Sequence, residues 1–102
     1  MFSSLEPSVL ARIKEVLSRF SEIETATLYG SRAKGTHRAA SDIDLTLTGE
    51  TLTVKTLNRI HLALDGLMLP NTFDVSLYHH IANEDLLDHI RRVGKVIYKK
   101  EE

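Results

Sequence analysis

Residues 42–48, with the sequence Asp-Ile-Asp-Leu-Thr-Leu-Thr, alternate strictly between polar and apolar side chains. Residues two apart in a β-strand share one face of a sheet, so the alternation predicts a strand with one buried face. Asp42 and Asp44 then lie together on the opposite face, where two like charges repel each other. A divalent cation bound by oxygen ligands relieves this repulsion. The alternative is an exposed strand that carries two solvated acids, and the pattern alone favours it.

The other predicted elements place this strand in a small α/β (α+β) fold. Helices are predicted at residues 7–20, 54–67 and 84–93, where apolar residues recur at helical spacing. Strands are predicted at residues 25–29, 42–48, 73–78 and 95–98, with one or two helical turns at 31–34. Thr53 and Asn83 are the predicted N-caps of the last two helices. This order predicts a small mixed β-sheet with helices packed mainly on one face.

Length, charge and composition exclude several classes of protein. The 102 residues predict a single domain over 1–102, and the net charge of −1 argues against a general nucleic-acid binder. The absence of cysteine excludes disulfides and thiolate metal sites. No signal peptide is evident at the amino terminus, and no apolar stretch approaches the ~20 residues of a membrane span. We therefore expect a soluble cytoplasmic protein that has no membrane partner.

A second candidate site is the segment Gly30-Ser31-Arg32-Ala33-Lys34-Gly35, which directly follows a predicted strand. Glycine lets the backbone approach a ligand closely, and free N–H groups at the start of a helical turn favour phosphate. Serine adds a hydroxyl here, and the arginine and lysine add positive charge. Taken alone, such a segment is more often a basic surface turn. Its combination with two nearby aspartates is much harder to explain by chance.

A third candidate is Asp74, within the strand predicted at residues 73–78. Phe73, Val75 and Leu77 point to the core in such a strand, so Asp74 and Ser76 share the opposite face. If this strand neighbours the strand at residues 42–48, all three aspartates converge. Three acids around two metal ions suit the in-line attack of a hydroxyl on phosphorus. Without the other two aspartates, an exposed strand acid is the simpler explanation of Asp74.

Together these segments resemble the signature of the DNA polymerase β-like nucleotidyltransferase superfamily. That signature has Gly-Ser, small and basic residues, Asp-x-Asp, and a third acid on a later strand. It is matched here by Gly30-Ser31-Arg32-Ala33-Lys34-Gly35, by Ser41-Asp42-Ile43-Asp44-Leu45 and by the strand at residues 73–77. The compact length resembles the minimal nucleotidyltransferase (MNT) branch, whose members are commonly antitoxin partners of helical HEPN-domain ribonuclease toxins.

The resemblance implies a nucleotidyltransferase fold and gives each motif residue a role. Asp42 and Asp44 would bind Mg²⁺ that also contacts the triphosphate of ATP. Asp74 would help to bind a second Mg²⁺ or accept the proton of the acceptor hydroxyl. The implied nucleotide-binding residues are Gly30, Ser31, Arg32, Lys34 and Ser41, of which the lysine either assists or faces solvent.

The resemblance also implies a reaction and a partner. AMP would pass from ATP to an acceptor hydroxyl, which is expected to belong to a tyrosine of a HEPN-type toxin. The protein is expected to form a homo- or hetero-oligomer. No DNA template is expected, because the chain has no visible second domain. One alternative is an antitoxin that neutralises its partner by binding alone, although the intact set of three aspartates argues against a vestigial site. Another is transfer to a small molecule such as an aminoglycoside, for which known enzymes usually carry an additional domain.

Several further residues have simpler interpretations. Five histidines stand out in this short chain: His37, His61, His79, His80 and His89. We expect His61 to be structural and the pair at 79–80 to lie at the surface or at the rim of the site. Tyr29, directly before the glycine-rich segment, is expected to pack in the fold. The basic residues at 91–100 are expected to form a solvated surface.

Overall fold

The computed structural model describes residues 6–30 and 42–100. Within these ranges the elements are α1 (Pro7–Ser18), β1 (Thr25–Tyr29), β2 (Ile43–Thr48), α2 (Val54–Asp65), β3 (Phe73–Leu77), α3 (Glu84–Val93) and β4 (Lys95–Lys99). A turn of 3-10 helix, Tyr78–His80, follows β3. These elements agree with the predicted ones to within a few residues. The helical turns predicted at residues 31–34 lie outside the described residues.

Helix ends follow local sequence signals. Thr53 caps α2, because its side-chain oxygen accepts a hydrogen bond from the Thr56 N–H at 3.2 Å. Asn83 caps α3 in the same way through the Leu86 N–H at 3.0 Å. Both caps were predicted. The helix predicted at 54–67 ends two residues early, since Gly66, a poor helix former, takes its C-cap position.

The four described strands form one sheet in the order β3-β2-β1-β4. β1 pairs antiparallel with both β2 and β4, whereas β2 and β3 are parallel. The parallel pair requires a crossover connection, and α2 provides it. The expectation of a small mixed sheet is therefore confirmed.

One face of this sheet forms the core with two of the helices. The strands contribute alternating residues to it: Ala26, Leu28, Ile43, Leu45, Leu47, Phe73 and Leu77. From α1 and α2 come Ile13, Val16, Leu17, Ile60 and Leu64. Burying each large aliphatic side chain of this kind contributes about 1.5–3 kcal/mol, so the alternation fixes which face of each strand is inside.

The third described helix, α3, packs on the opposite face of the sheet. Thr27 points to that face, because it alternates with the core residues Ala26 and Leu28. A β-carbon added to Gly94, just after α3, would lie 2.8 Å from the Thr27 methyl group. The helices are thus mainly on one face, as predicted, with α3 as the exception. Across residues 6–30 and 42–100, no helix has the length and apolar character that crossing a membrane demands.

Candidate active site

Strand register brings two acids and a tyrosine into a row across the sheet. Asp44 of β2 is the register partner of Asp74 in β3. On its other side, Asp44 is the partner of Tyr29 in β1. Partners across neighbouring strands share a face, and this face is opposite to the core because Ile43 and Leu45 are fully buried inside. The structure therefore places Asp74 beside Asp44, as the sequence predicts.

Asp42 lies just before β2, at the same end of the strand as Asp44. The predicted strand began at Asp42, whereas the observed strand begins at Ile43. The Thr72 hydroxyl donates a hydrogen bond to Asp42 Oδ1, and the Ile43 N–H donates to the Thr72 carbonyl at 2.9 Å. Asp42 is exposed, so its carboxylate is held at the strand entrance by Thr72 and remains open to solvent.

Burial and two neighbouring carboxylates act on Asp44. The pKa of Asp44 is raised to about 6, chiefly by burial and further by the negative charges of Asp74 and Asp42. A raised carboxyl pKa means that the ionised form is disfavoured where it stands. Negative charge is thus concentrated at this end of the sheet.

Tyr29 lies against the same acids from the side of β1. It is only 7% exposed, so it packs in the fold as expected. Burial raises the pKa of Tyr29, the charges of Asp74 and Asp44 add to the rise, and the adjacent Ser76 hydroxyl opposes it. Ser76 Oγ is enclosed and has no well-oriented hydrogen-bond partner within the described ranges. The phenol is therefore neutral, with its hydroxyl beside the acidic pair.

Gly30 connects this row to the glycine-rich segment. Its φ of 79° lies in the left-handed region that favours glycine. A β-carbon at this position would overlap Asp44 Oδ2. The Gly30 N–H donates to His89 Nε2 at 3.1 Å. Glycine is required here, since the backbone passes directly against a carboxylate.

The other predicted phosphate-binding residues belong to the stretch between the two described ranges. Ser31, Arg32, Lys34 and Ser41 lie outside the described residues. Of the nucleotide-binding set, the structure therefore positions Gly30 alone.

The histidines take different positions from one another. His61 Nε2 lies 3.0 Å from the Phe73 carbonyl oxygen, which fits the expected structural role. His79 and His80 are exposed, as expected. Sequence reasoning gave no role to His89, whose ring meets the Tyr29 ring edge-on at 6.2 Å. Its spacing from Ile90 and Val93 on one helical stripe was the available signal that it faces the sheet.

The acidic row suits a cation that arrives with a phosphate ligand. Among the residues that the structure describes, no group of three or more His, Asp or Glu side chains is arranged to hold a metal ion by itself. Mg²⁺ is usually bound by one or two carboxylates, and waters and substrate phosphates complete its coordination. Oxygen donors at Asp42, Asp44 and Asp74 fit that mode of binding, and burial together with the two neighbouring charges raises the pKa of Asp44.

Comparison with known proteins supports a specific family. The model of the family described as "Polymerase beta, Nucleotidyltransferase" matches residues 11–102 of this chain. No protein of curated function matches the chain with significant sequence similarity.

Solved structures of other proteins share the fold. A toxin–antitoxin complex with AMP-PNP contains a chain of 20% identity and TM-score 0.70, with 90% of this chain and 74% of that one covered. A complex of a tri-AMPylated Shewanella oneidensis HEPN toxin with its MNT antitoxin gives 15% identity and TM-score 0.63, with 94% and 74% covered. A protein classed as a minimal nucleotidyltransferase gives 28% identity and TM-score 0.68, with 86% and 91% covered.

Proposed function

Because the chain belongs to the polymerase β nucleotidyltransferase family, we propose that it transfers AMP from ATP to a hydroxyl group of a HEPN-type toxin. Family membership confirms the nucleotidyltransferase fold and enzyme class expected from the sequence. The observation that carries the finer proposal is the register pairing of Asp44 with Asp74 beside the backbone of Gly30. This arrangement puts carboxylates next to Gly30, the first residue of the segment that resembles a phosphate-binding loop.

The proposed metal ligands are the three aspartates. Asp42 and Asp44 would hold Mg²⁺, and Asp74 is available to a second ion. When bound, the cations supply positive charge that neutralises the triphosphate during transfer. Such charge would also lower the pKa of Asp44, which burial and the two neighbouring carboxylates raise to about 6, and would so favour its ionised form.

The proposed transfer is an in-line displacement. The acceptor oxygen forms a bond to the α-phosphorus of ATP, and the bond from that phosphorus to the β-bridging oxygen breaks. Pyrophosphate leaves with the bonding electrons, and the acceptor proton passes to a carboxylate oxygen of Asp74. Asp74 is exposed whereas Asp44 is half-buried, so Asp74 is the more accessible base for a hydroxyl that comes from another molecule.

The nucleotide phosphates are assigned to the glycine-rich segment. We place Gly30, Ser31, Arg32 and Ser41 in the phosphate-binding set, with Lys34 assisting. Gly30 contributes through close backbone approach, because its N–H is already donated to His89. Because glycine has no side chain, the backbone at the first residue of the segment can lie beside the Asp44 carboxylate.

The nature of the partner is suggested by the structures that share the fold. One of them contains a HEPN toxin that carries AMP, and another contains AMP-PNP, an ATP analogue. Both are toxin–antitoxin complexes. We therefore propose a HEPN-domain toxin as the acceptor protein, and a tyrosine as the modified residue.

Label transfer from α-labelled ATP to a co-purified HEPN partner in the presence of Mg²⁺ tests this function. Asp74→Asn should abolish transfer and leave partner binding intact, because it alters one exposed polar group and no apolar contact. Glu50→Gln, an exposed acid outside the acidic row, is the matched control and should transfer normally. If Asp74→Asn protects toxin-expressing cells as well as the wild type does, the chain acts by binding and not by modification.

A further inference from the structure

His89 reaches from α3 to the end of β1, where the candidate site begins. Its Nε2 accepts the hydrogen bond of the Gly30 N–H at 3.1 Å, across 59 residues of sequence. Its ring also meets the Tyr29 ring edge-on, with the two planes 78° apart. One side chain of α3 therefore contacts two consecutive residues at the point where the strand ends.

Those two residues both lie against Asp44. Tyr29 is the register partner of Asp44, and its hydroxyl lies near enough for Asp44 to raise the tyrosine pKa. Gly30 approaches Asp44 Oδ2 so closely that a β-carbon would overlap it. A displacement of Gly30 toward β2 therefore collides with the carboxylate, and a displacement away opens a gap beside it. The position of this glycine and that of the carboxylate are coupled.

We infer that His89 is a positioning residue for nucleotidyl transfer, which fixes the Gly30 backbone against Asp44 by accepting the glycine N–H. This inference rests on the proposed function of Asp44 and of the glycine-rich segment. His89 touches neither the nucleotide nor the metal in this role. It acts through Gly30, the first residue of the proposed phosphate-binding segment.

The role requires the acceptor atom of the imidazole ring. A neutral histidine with its proton on Nδ1 presents an Nε2 lone pair to the amide. Phenylalanine keeps a ring against Tyr29 but removes that acceptor. Glutamine removes the ring but offers a carbonyl oxygen that can accept the same N–H. The two substitutions therefore separate packing from hydrogen bonding.

The test compares His89→Phe, His89→Gln and the control His80→Phe, which alters an exposed histidine in the turn after β3. Transfer is measured with saturating partner and varied Mg·ATP. We expect His89→Phe to lower kcat by about tenfold or more, because small misplacements of reacting groups have effects of that size. His89→Gln should recover most of the loss, and His80→Phe should behave as the wild type. Thermal unfolding shows whether each variant is folded.

A second measurement does not depend on activity. Hydrogen exchange of the Gly30 amide, followed by NMR, should be slow in the wild type, faster in His89→Phe and slow again in His89→Gln. If the wild type transfers label and His89→Phe transfers it equally well, the inference about His89 is wrong and the proposed function stands. Wild-type protein that transfers no label would overturn the proposed function, while the exchange data would still decide whether His89 holds Gly30. Equal losses in the Phe and Gln variants would show that the acceptor atom is not what matters.

Discussion

Gly30 lies against the carboxylate of Asp44 with no room for a side chain between them. The glycine also has a positive φ of 79°, which other residues adopt only with strain. The lack of space beside Asp44 and the positive φ are two independent reasons for glycine at this position, which directly follows β1. Both can be tested by adding one methyl group.

Gly30→Ala should destabilise the protein and abolish transfer. The left-handed backbone and the overlap with Asp44 together should lower the free energy of unfolding by about 1–3 kcal/mol. Activity should fall further than stability, because the methyl group displaces a proposed metal ligand. Urea unfolding and label transfer measure the two effects. Gly66→Ala, at a C-cap of ordinary helical φ, is the matched control and should remain active.

Asp44→Asn should stabilise the metal-free protein at neutral pH. Folding raises the pKa of Asp44 from 3.8 to about 6, so the folded state binds more protons than the unfolded state between these values. By linkage, the stability of the wild type falls as the pH rises through this window. The variant lacks this fall and should gain on the order of 1 kcal/mol above pH 7, a value reduced because the carboxyl is partly open to solvent.

The gain should disappear below pH 3.8, where the carboxyl is protonated in both states. Chemical unfolding at several pH values in excess chelator gives the comparison. Asp85→Asn, in the exposed first turn of α3, is the control and should show no such gain in this window. A variant that is equally stabilised at all pH values would contradict the electrostatic explanation.

ATP binding should require a divalent cation. Three carboxylates at one end of the sheet repel a triphosphate, and Mg²⁺ or Mn²⁺ converts that repulsion into bridging contacts. Calorimetry should show an affinity at least about tenfold higher with Mg²⁺ than in excess chelator. Asp42→Asn should reduce this difference. Equal affinity with and without metal would place the nucleotide elsewhere.

Asn83→Ala should weaken α3 without altering the acidic row. The Asn83 side chain accepts the Leu86 N–H, and loss of such a cap costs about 0.5–2 kcal/mol. The same loss should increase hydrogen exchange across α3, where His89 lies. Thermal unfolding and exchange measure both. Asn83→Asp retains an accepting oxygen and should remain close to the wild type.

Much of this arrangement is predictable from local sequence. The alternation of side chains predicted that Asp42, Asp44 and Asp74 lie on the side opposite to the core. Successive side chains of a strand point to opposite faces, so once the apolar residues face the core, the residues between them must face away from it. Thr53 and Asn83 marked helix starts through hydrogen bonds that span three residues. Strand alternation and helix caps both depend on residues close together in the sequence, so they can be recognised without knowledge of the tertiary structure.

The contacts between distant segments were not predictable. His89 meets Gly30 across 59 residues, and only the docking of α3 on the sheet brings them together. The row that includes Tyr29 depends on the register of β1 with β2, which no local pattern specifies. Sequence reasoning consequently identified the acids and missed the residue that positions the glycine beside them.

The parallel pairing of β2 with β3 uses one register both to pack the core and to set Asp44 beside Asp74. A slip of one residue in β3 would turn Asp74 inward and expose Val75, since successive side chains point to opposite faces. Selection for a packed interior therefore also preserves the spacing of the two acids. Insertions and deletions can accumulate in the loops on either side of α2, at residues 49–53 and 66–72, while the alignment of the strands themselves stays fixed. Diverged relatives should accordingly differ in the length of this crossover long before they differ in the separation of the two carboxylates.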